Sequence, residues 1–338
     1  MLARICTYLA IMAAGGCSSS SSSSSSSQAT APPSAKGRVV VALTIDWEGA
    51  YLSPDGLDAL DELRRGIGAA PLTHFVSAAY FTKDHPDPAA ATTIQRSVRE
   101  GDELALHLHG WRSLAKASGI EPRLAPSFLT GTDKLLEFDD GDVGFDVDLD
   151  AYSVPDLRAM VRTSRRLLEQ THLPVSKSFR AGGYLGTPKL LQAIREEGFA
   201  VDSSATDYRQ LDERKDDVLP KRVHAIWPNV ETTSQPWVVD ASGGPLLELP
   251  VAAFADYAAT AEIVAVFDAA HARLQKDPGR DVFMVLGFHL ETADDFARRV
   301  GEALTTVRGR RELADELVFV SVTSAAERAR RSLAPPPK

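Results

Sequence analysis

The sequence predicts an α/β fold in which a parallel sheet is covered by helices. Three observations point there. Short β-branched apolar runs alternate with helical patterns from Arg38 onward, and such alternation builds strand–helix–strand units. The runs are apolar on successive residues, as in strands buried on both faces. Charged and imidazole side chains recur where those runs end. A doubly wound open sheet and a closed barrel both fit this pattern.

Taken in order, Val39–Leu43 is the first buried strand and Leu72–Phe81 the second. Further strands fit Glu103–Leu106, Lys177–Phe179, Leu246–Pro250, Val282–His289 and Leu317–Val322. Ser153 with Asp156 three residues on is a helix-capping pattern, and Leu157, Met160, Val161 and Leu168 follow at helical spacing. Thr187 and Pro188 open another helix, with Leu190, Leu191 and Ile194 on one face and Gly198 at its end. Helices also fit Ala261–Lys276 and Ala293–Val307. No phosphate-binding glycine fingerprint follows the first strand, which argues against a dinucleotide fold. Residues 112–150 break the pattern with Pro122, Pro126 and the acidic stretch Glu137–Asp150. They read as an insertion lying over the sheet. Calcium binding by that stretch is an alternative to a lid loop, although the spacing does not match an EF-hand.

The chain has 338 residues, 44% hydrophobic and 25% charged, an ordinary globular composition. Its net charge of −9 offers no counterion-release energy on a polyanion, so no nucleic-acid partner is expected. The apolar run Ile5–Ala14 follows Arg4 and is too short for a hydrocarbon core that needs about 20 helical residues. It fits the apolar region of an export signal. It ends in Ala14-Gly15-Gly16-Cys17, which resembles a bacterial lipobox. That resemblance implies cleavage before Cys17 and a lipid on its sulfur. The expected organisation is a lipoprotein signal over 1–16, a Ser/Pro-rich tether over 17–37 that holds the run Ser18–Ser27, and a folded domain over 38–334. The protein is then exported and anchored to a bacterial membrane. The two cysteines, Cys6 and Cys17, build neither a disulfide framework nor a metal site.

The strand ends carry the chemistry. Side chains at i and i+2 of a strand share a face, so Asp46 points with Glu48 and His107 with His109. Two carboxylates and two imidazoles form a ligand set suited to Zn²⁺, Mn²⁺, Fe²⁺ or Co²⁺. Other strand ends bring Arg180, Glu248 and His289. In parallel barrels such ends surround the active site.

From Val39 to Thr323 the order of segments resembles the polysaccharide deacetylase (NodB-homology) superfamily. Thr44-Ile45-Asp46-Trp47-Glu48 resembles the first motif, Thr-Phe-Asp-Asp-Gly. Arg99–His107 resembles Gly-His-Glu-Ile-Gly-x-His, Ser178–Tyr184 the Arg-x-Pro motif, and Leu286-Gly287-Phe288-His289 the closing Leu-x-x-His. The resemblance implies one domain, a distorted (β/α)7–8 barrel, that removes acetyl groups from an N- or O-acetylated polysaccharide or oligosaccharide. It implies Asp46 as general base, Arg180 as the partner that keeps Asp46 ionised, and His289 as general acid. It implies a divalent metal, Zn²⁺ first and otherwise Mn²⁺, Co²⁺ or Fe²⁺, on Glu48, His107 and His109, with Asp46 as a further ligand. Substrate contacts are expected from Trp47, Trp111, Tyr184 and Glu248, and an oxyanion contact from the backbone near Tyr184. The fourth motif is matched by Glu248 with Trp237 or Asp240. Trp47 stands where the family has its second aspartate and Trp111 where it has its second metal histidine, so Glu48 or Asp46 itself takes the first role and His109 is the nearest substitute for the second. Two other readings stand beside this one. One is a different hydrolase of non-peptide C–N bonds with the same fold, acting on a small amide with or without metal. The other is a non-catalytic glycan-binding surface lipoprotein.

Overall fold

The first strand, β1 (Val39–Trp47), is buried along its whole length, as its unbroken apolar character demands. The computed structural model describes residues 36–211 and 218–333, so the expectations for the signal and nearly all of the tether lie outside the described residues. Helix α1 (Pro54–Ile67) follows β1, its first turn capped by Ser53, whose hydroxyl accepts from Gly56 N. Next come β2 (Leu72–Ser77), α2 (Ala90–Ser97), β3 (Glu103–Leu108) and the short α3 (Arg112–Ala117). A long irregular segment leads to α4 (Val154–Gln170), which starts on the expected capping box of Ser153 and Asp156. Strand β4 (Ser178–Ala181) precedes α5 (Pro188–Glu196), capped by Thr187 as the sequence predicts. The chain continues through β5 (Val201–Asp202), α6 (Val218–Ile226), β6 (Trp237–Ala241), β7 (Gly244–Glu248), β8 (Val251–Phe254) and α7 (Thr260–Lys276). It ends with β9 (Val282–His289), α8 (Ala293–Arg308), α9 (Arg311–Ala314), β10 (Leu317–Phe319) and α10 (Val322–Leu333).

Two strands are shorter than the apolar runs suggest. The second run stays extended only to Ser77, whose side chain caps a 3₁₀ turn over Ala78–Phe81. The last stops at Phe319, because Val322 N donates to Thr73 Oγ1 and opens α10.

The strand order is β6-β7-β5-β4-β3-β2-β1-β9-β8, with β10 also paired to β1. The neighbours are parallel except β6 and β7, which form an antiparallel hairpin. The sheet curls until its ends meet: Thr206, just beyond β5, bridges Val251 of β8, and Val251 N donates to Ala205 O at 2.8 Å. The result is a distorted barrel of one domain wrapped by helices, and the open-sheet alternative is set aside. Register then levels the polar strand ends. Asp46 pairs with His289 on β9 and Phe75 on β2. His107 pairs with Ser77 on one side and Arg180 on the other.

Segment 118–152 crosses the barrel mouth. Phe128 N donates to Asp146 O, and Ser127 bridges Val147. Its aspartates bind the protein itself. Asp142 pairs with Lys83, Asp148 with Arg222, and Asp146 accepts from Ser127 Oγ and Leu136 N. Those three carboxylates thereby tie the segment to the barrel. Among the described residues no helix is long and apolar enough to cross a membrane.

Candidate active site and metal centre

Strand alternation builds the site from β1. Asp46 and Glu48 face the barrel interior, while Trp47 between them turns outward and donates from Nε1 to His74 Nδ1 at 3.1 Å. Beside them Arg180 lies fully buried on β4. Its Nη1 donates to Asp46 Oδ1 at 2.7 Å and to Thr44 Oγ1 at 2.9 Å, and its Nε to Ser203 O at 2.9 Å. The guanidinium also sits over the Phe75 ring, 4.2 Å from its centre. These contacts hold the buried guanidinium in place, so Asp46 has a cation on one oxygen.

His107 and His109 share a face, as their spacing requires. His107 Nδ1 donates to Arg180 O at 3.0 Å, and His109 Nδ1 to Phe145 O at 2.6 Å. A carbonyl can only accept, so both Nδ1 atoms carry a proton and each ring turns its Nε2 inward. Burial disfavours the charged His107 ring, but Glu48 and Asp46 raise it above its ordinary value. Those Nε2 atoms lie 3.1 Å apart. Glu48 Oε1 is 3.4 Å from His107 Nε2, and Glu48 Oε2 is 2.5 Å from His109 Nε2. Two imidazole nitrogens and a carboxylate therefore converge in a buried space, and Glu48 Oε2 lacks a hydrogen-bond partner. That is the donor set of a cation site, and Glu48, His107 and His109 can hold a metal ion. Asp46, Glu48 and His289 form a second close trio. Gly182 makes room for this packing, since a Cβ there would fall 2.3 Å from the His109 ring.

Burial alone would raise the Glu48 carboxyl. The imidazoles of His109, His107 and His289 outweigh it and hold Glu48 well below the usual carboxylate range. His289 closes the other side, with Nε2 3.2 Å from Glu48 Oε1 and Nδ1 2.9 Å from Asp256 Oδ1. Asp256 also accepts from His289 N and Thr292 Oγ1. Burial disfavours the charged ring, but Asp256 and Glu48 raise His289 to about 10. Glu291 accepts from Glu48 N and from Tyr80 OH, and burial with the Glu48 charge raises it to about 8.

The carboxylates and imidazoles of the site border one cavity of about 220 Å³. Asp46, Glu48, His107, His109, Tyr184 and His289 line it as expected. Arg180 supports it from behind. Tyr184 contributes a buried hydroxyl without a hydrogen-bond partner and a strained backbone at φ 63°. Three expected substrate contacts are corrected. Trp47 is buried on the opposite face of β1, with no exposed surface. Trp111 is equally buried and donates to Glu48 O at 2.9 Å, so it props the ligand strand. Glu248 is buried beside Asp202, accepts from Ala205 N, and sits behind Arg180. Neither of its guessed partners enters the cavity either, because Trp237 and Asp240 lie on the outer hairpin strand β6. Sequence reading missed Asp256, which follows the short β8 inside the apolar run Val251–Phe254. It also missed Glu291 and the aromatic residues of the mouth segment.

No family model matches the chain, and no curated protein matches it in sequence. Solved structures match it in fold. A protein described as a polysaccharide deacetylase from Mycobacterium smegmatis has a TM-score of 0.52 at 17% identity, over 91% of this chain and 96% of that one. Another so described, from Pseudomonas aeruginosa PAO1, gives 0.51 at 13% identity, over 87% and 92%. The Puue allantoinase gives 0.50 at 12% identity, over 88% and 91%. The likeness is one of architecture, and it shows that this chain has the distorted-barrel fold of the polysaccharide deacetylases.

Proposed function

We propose that the protein is a metal-dependent hydrolase that removes acetyl-type acyl groups from an N- or O-acylated glycan. One observation carries this reading. The two histidine Nε2 atoms and the Glu48 carboxylate converge in one cavity with the Asp46–Arg180 pair and the Asp256–His289 pair. Glu48, His107 and His109 would hold the ion, Zn²⁺ by preference for nitrogen and oxygen donors. When bound, the ion polarises the acyl carbonyl and lowers the pKa of water towards about 7. Asp46, paired with Arg180, takes the water proton as the oxygen bonds to the carbonyl carbon. His289, held protonated by Asp256, gives its proton to the leaving nitrogen or oxygen as that bond breaks. The Tyr184 hydroxyl, buried on the cavity wall without a hydrogen-bond partner, would donate to the developing oxyanion. A glycan-binding protein needs no such base and acid pair. The allantoinase likeness keeps a small cyclic or linear amide as the second reading. We also infer export and a lipid on Cys17, from the lipobox alone.

The test is acetate release from chito-oligosaccharide and peptidoglycan fragments by protein supplied with Zn²⁺. Wild type should release acetate, and His289→Ala should lose that activity while keeping its melting temperature. Binding of no divalent metal together with no release contradicts the proposal.

A further inference from the structure

We propose that the mouth segment 126–147 is the acyl-binding wall of the site, and that it selects apolar acyl groups longer than acetyl. This rests on the hydrolase reading above and names the part of the substrate that reading leaves open. The segment sends Phe128, Leu129, Leu136, Phe138 and Phe145 into the cavity that holds the ionisable groups. Phe145 stacks on His109 with ring centres 4.2 Å apart, Phe128 lies 6.2 Å from the same ring, and Phe138 meets Phe145 edge-on at 5.7 Å. The wall therefore stands on the His109 side.

Glu48 separates that side from His289, because one of its oxygens faces each ring. The leaving group must take its proton from His289 and so occupies the His289 side, beside Asp256, Tyr257 and Thr292. The acyl substituent is directed the other way, towards the phenylalanines. A methyl group would leave most of that wall bare. At the rim, Leu136 and Tyr51 are 43% and 54% exposed, large side chains in water that an apolar ligand would cover. The wall is built in advance. Phe128 N donates to Asp146 O at 2.7 Å, Asp148 N to Pro126 O at 2.9 Å, and the Asp146 carboxylate accepts from Leu136 N at 3.1 Å. Little ordering is left for the ligand to cost.

The experiment compares p-nitrophenyl acetate, butyrate and hexanoate with Zn²⁺-supplied wild type, Leu136→Asn and Phe138→Ala. Calorimetric titration of acetate and hexanoate reads binding without turnover. In wild type, kcat/KM should rise along the series by up to about fourfold for each methylene buried. Hexanoate should bind more tightly than acetate. Both variants should lower the hexanoate-to-acetate ratio at least fivefold in either readout. Leu136 is exposed, so its replacement leaves folding intact. A preference for acetate, or a ratio that neither variant moves, overturns the wall. Tighter hexanoate binding with no hydrolysis of any ester supports the wall and overturns the hydrolase reading, so the two failures are distinct.

Discussion

Strand β1 separates two buried charge clusters, and the difference between them separates structure from chemistry. On its outer face Trp47 donates to His74, and Asp102 gathers Arg64, His74, Leu72 N and Arg99 N. Each acceptor there has a donor. Burial keeps His74 below its ordinary value, and so neutral. On the inner face, one residue either side of Trp47, the arrangement is reversed. The Nδ1 atoms of His107 and His109 are satisfied, but their Nε2 atoms and the Glu48 oxygens face one another. A cluster whose acceptors all have donors stabilises a fold, whereas nitrogen and oxygen ligand atoms gathered in a buried space can hold a metal ion.

That contrast predicts opposite consequences for substitution. His107→Ala should abolish metal binding and lower acyl release by several kcal/mol in barrier, about 10³-fold or more, with the melting temperature close to wild type. Metal content and initial rates on the same preparation check this. Asp102→Ala should do the reverse. Breaking a buried ion pair costs about 3–5 kcal/mol of stability, read by urea unfolding, while kcat per folded molecule stays unchanged. If Asp102→Ala lost activity without losing stability, the division would collapse.

Smaller effects sharpen it. Asp256→Asn removes the charge that raises His289, so the alkaline fall in activity, expected near pH 10, should move towards neutrality. A pH–rate profile that does not shift would remove Asp256 from the role of holding His289 protonated. The outer cluster has an acid signature instead. Burial raises Asp102, but His74, Arg64 and two backbone N–H groups outweigh it and hold the carboxyl below its ordinary value. Its stabilisation is present above the unfolded pKa of about 3.9 and is lost as pH falls below it. The stability gap between wild type and Asp102→Ala should therefore narrow in acid. Tyr184→Phe should slow acyl release by about tenfold or less, as expected for one neutral donor.

Much of the inner cluster was legible because its spacing is local. Period-two alternation joins Asp46 to Glu48 and His107 to His109, and the same alternation turns Trp47 outward. The capping box at Ser153 and the N-cap at Thr187 are likewise local signals. Arg180 and His289 were visible as strand-end residues, and motif resemblance supplied their roles, since nothing in their own neighbourhoods distinguishes a site residue from a buried ion pair. Asp256 was not legible. It lies 33 positions from His289, after a strand hidden in an apolar run, and only barrel closure brings the two together. Glu248 misled for the complementary reason. A carboxylate near a strand end suggests a site, but β7 lies beyond β5 on the side towards the outer hairpin, and Glu248 joins Asp202 there. The aromatic wall of 126–147 had no periodicity to reveal it, because an irregular segment is placed by tertiary contacts alone.

The central claim is that Glu48, His107 and His109 form a cation site. Its most direct test is the divalent-metal content of wild type and Glu48→Gln after dialysis against trace Zn²⁺, by elemental analysis. The account predicts one ion per wild-type chain and almost none in Glu48→Gln. Wild type without metal, or Glu48→Gln that keeps a full equivalent, would contradict it.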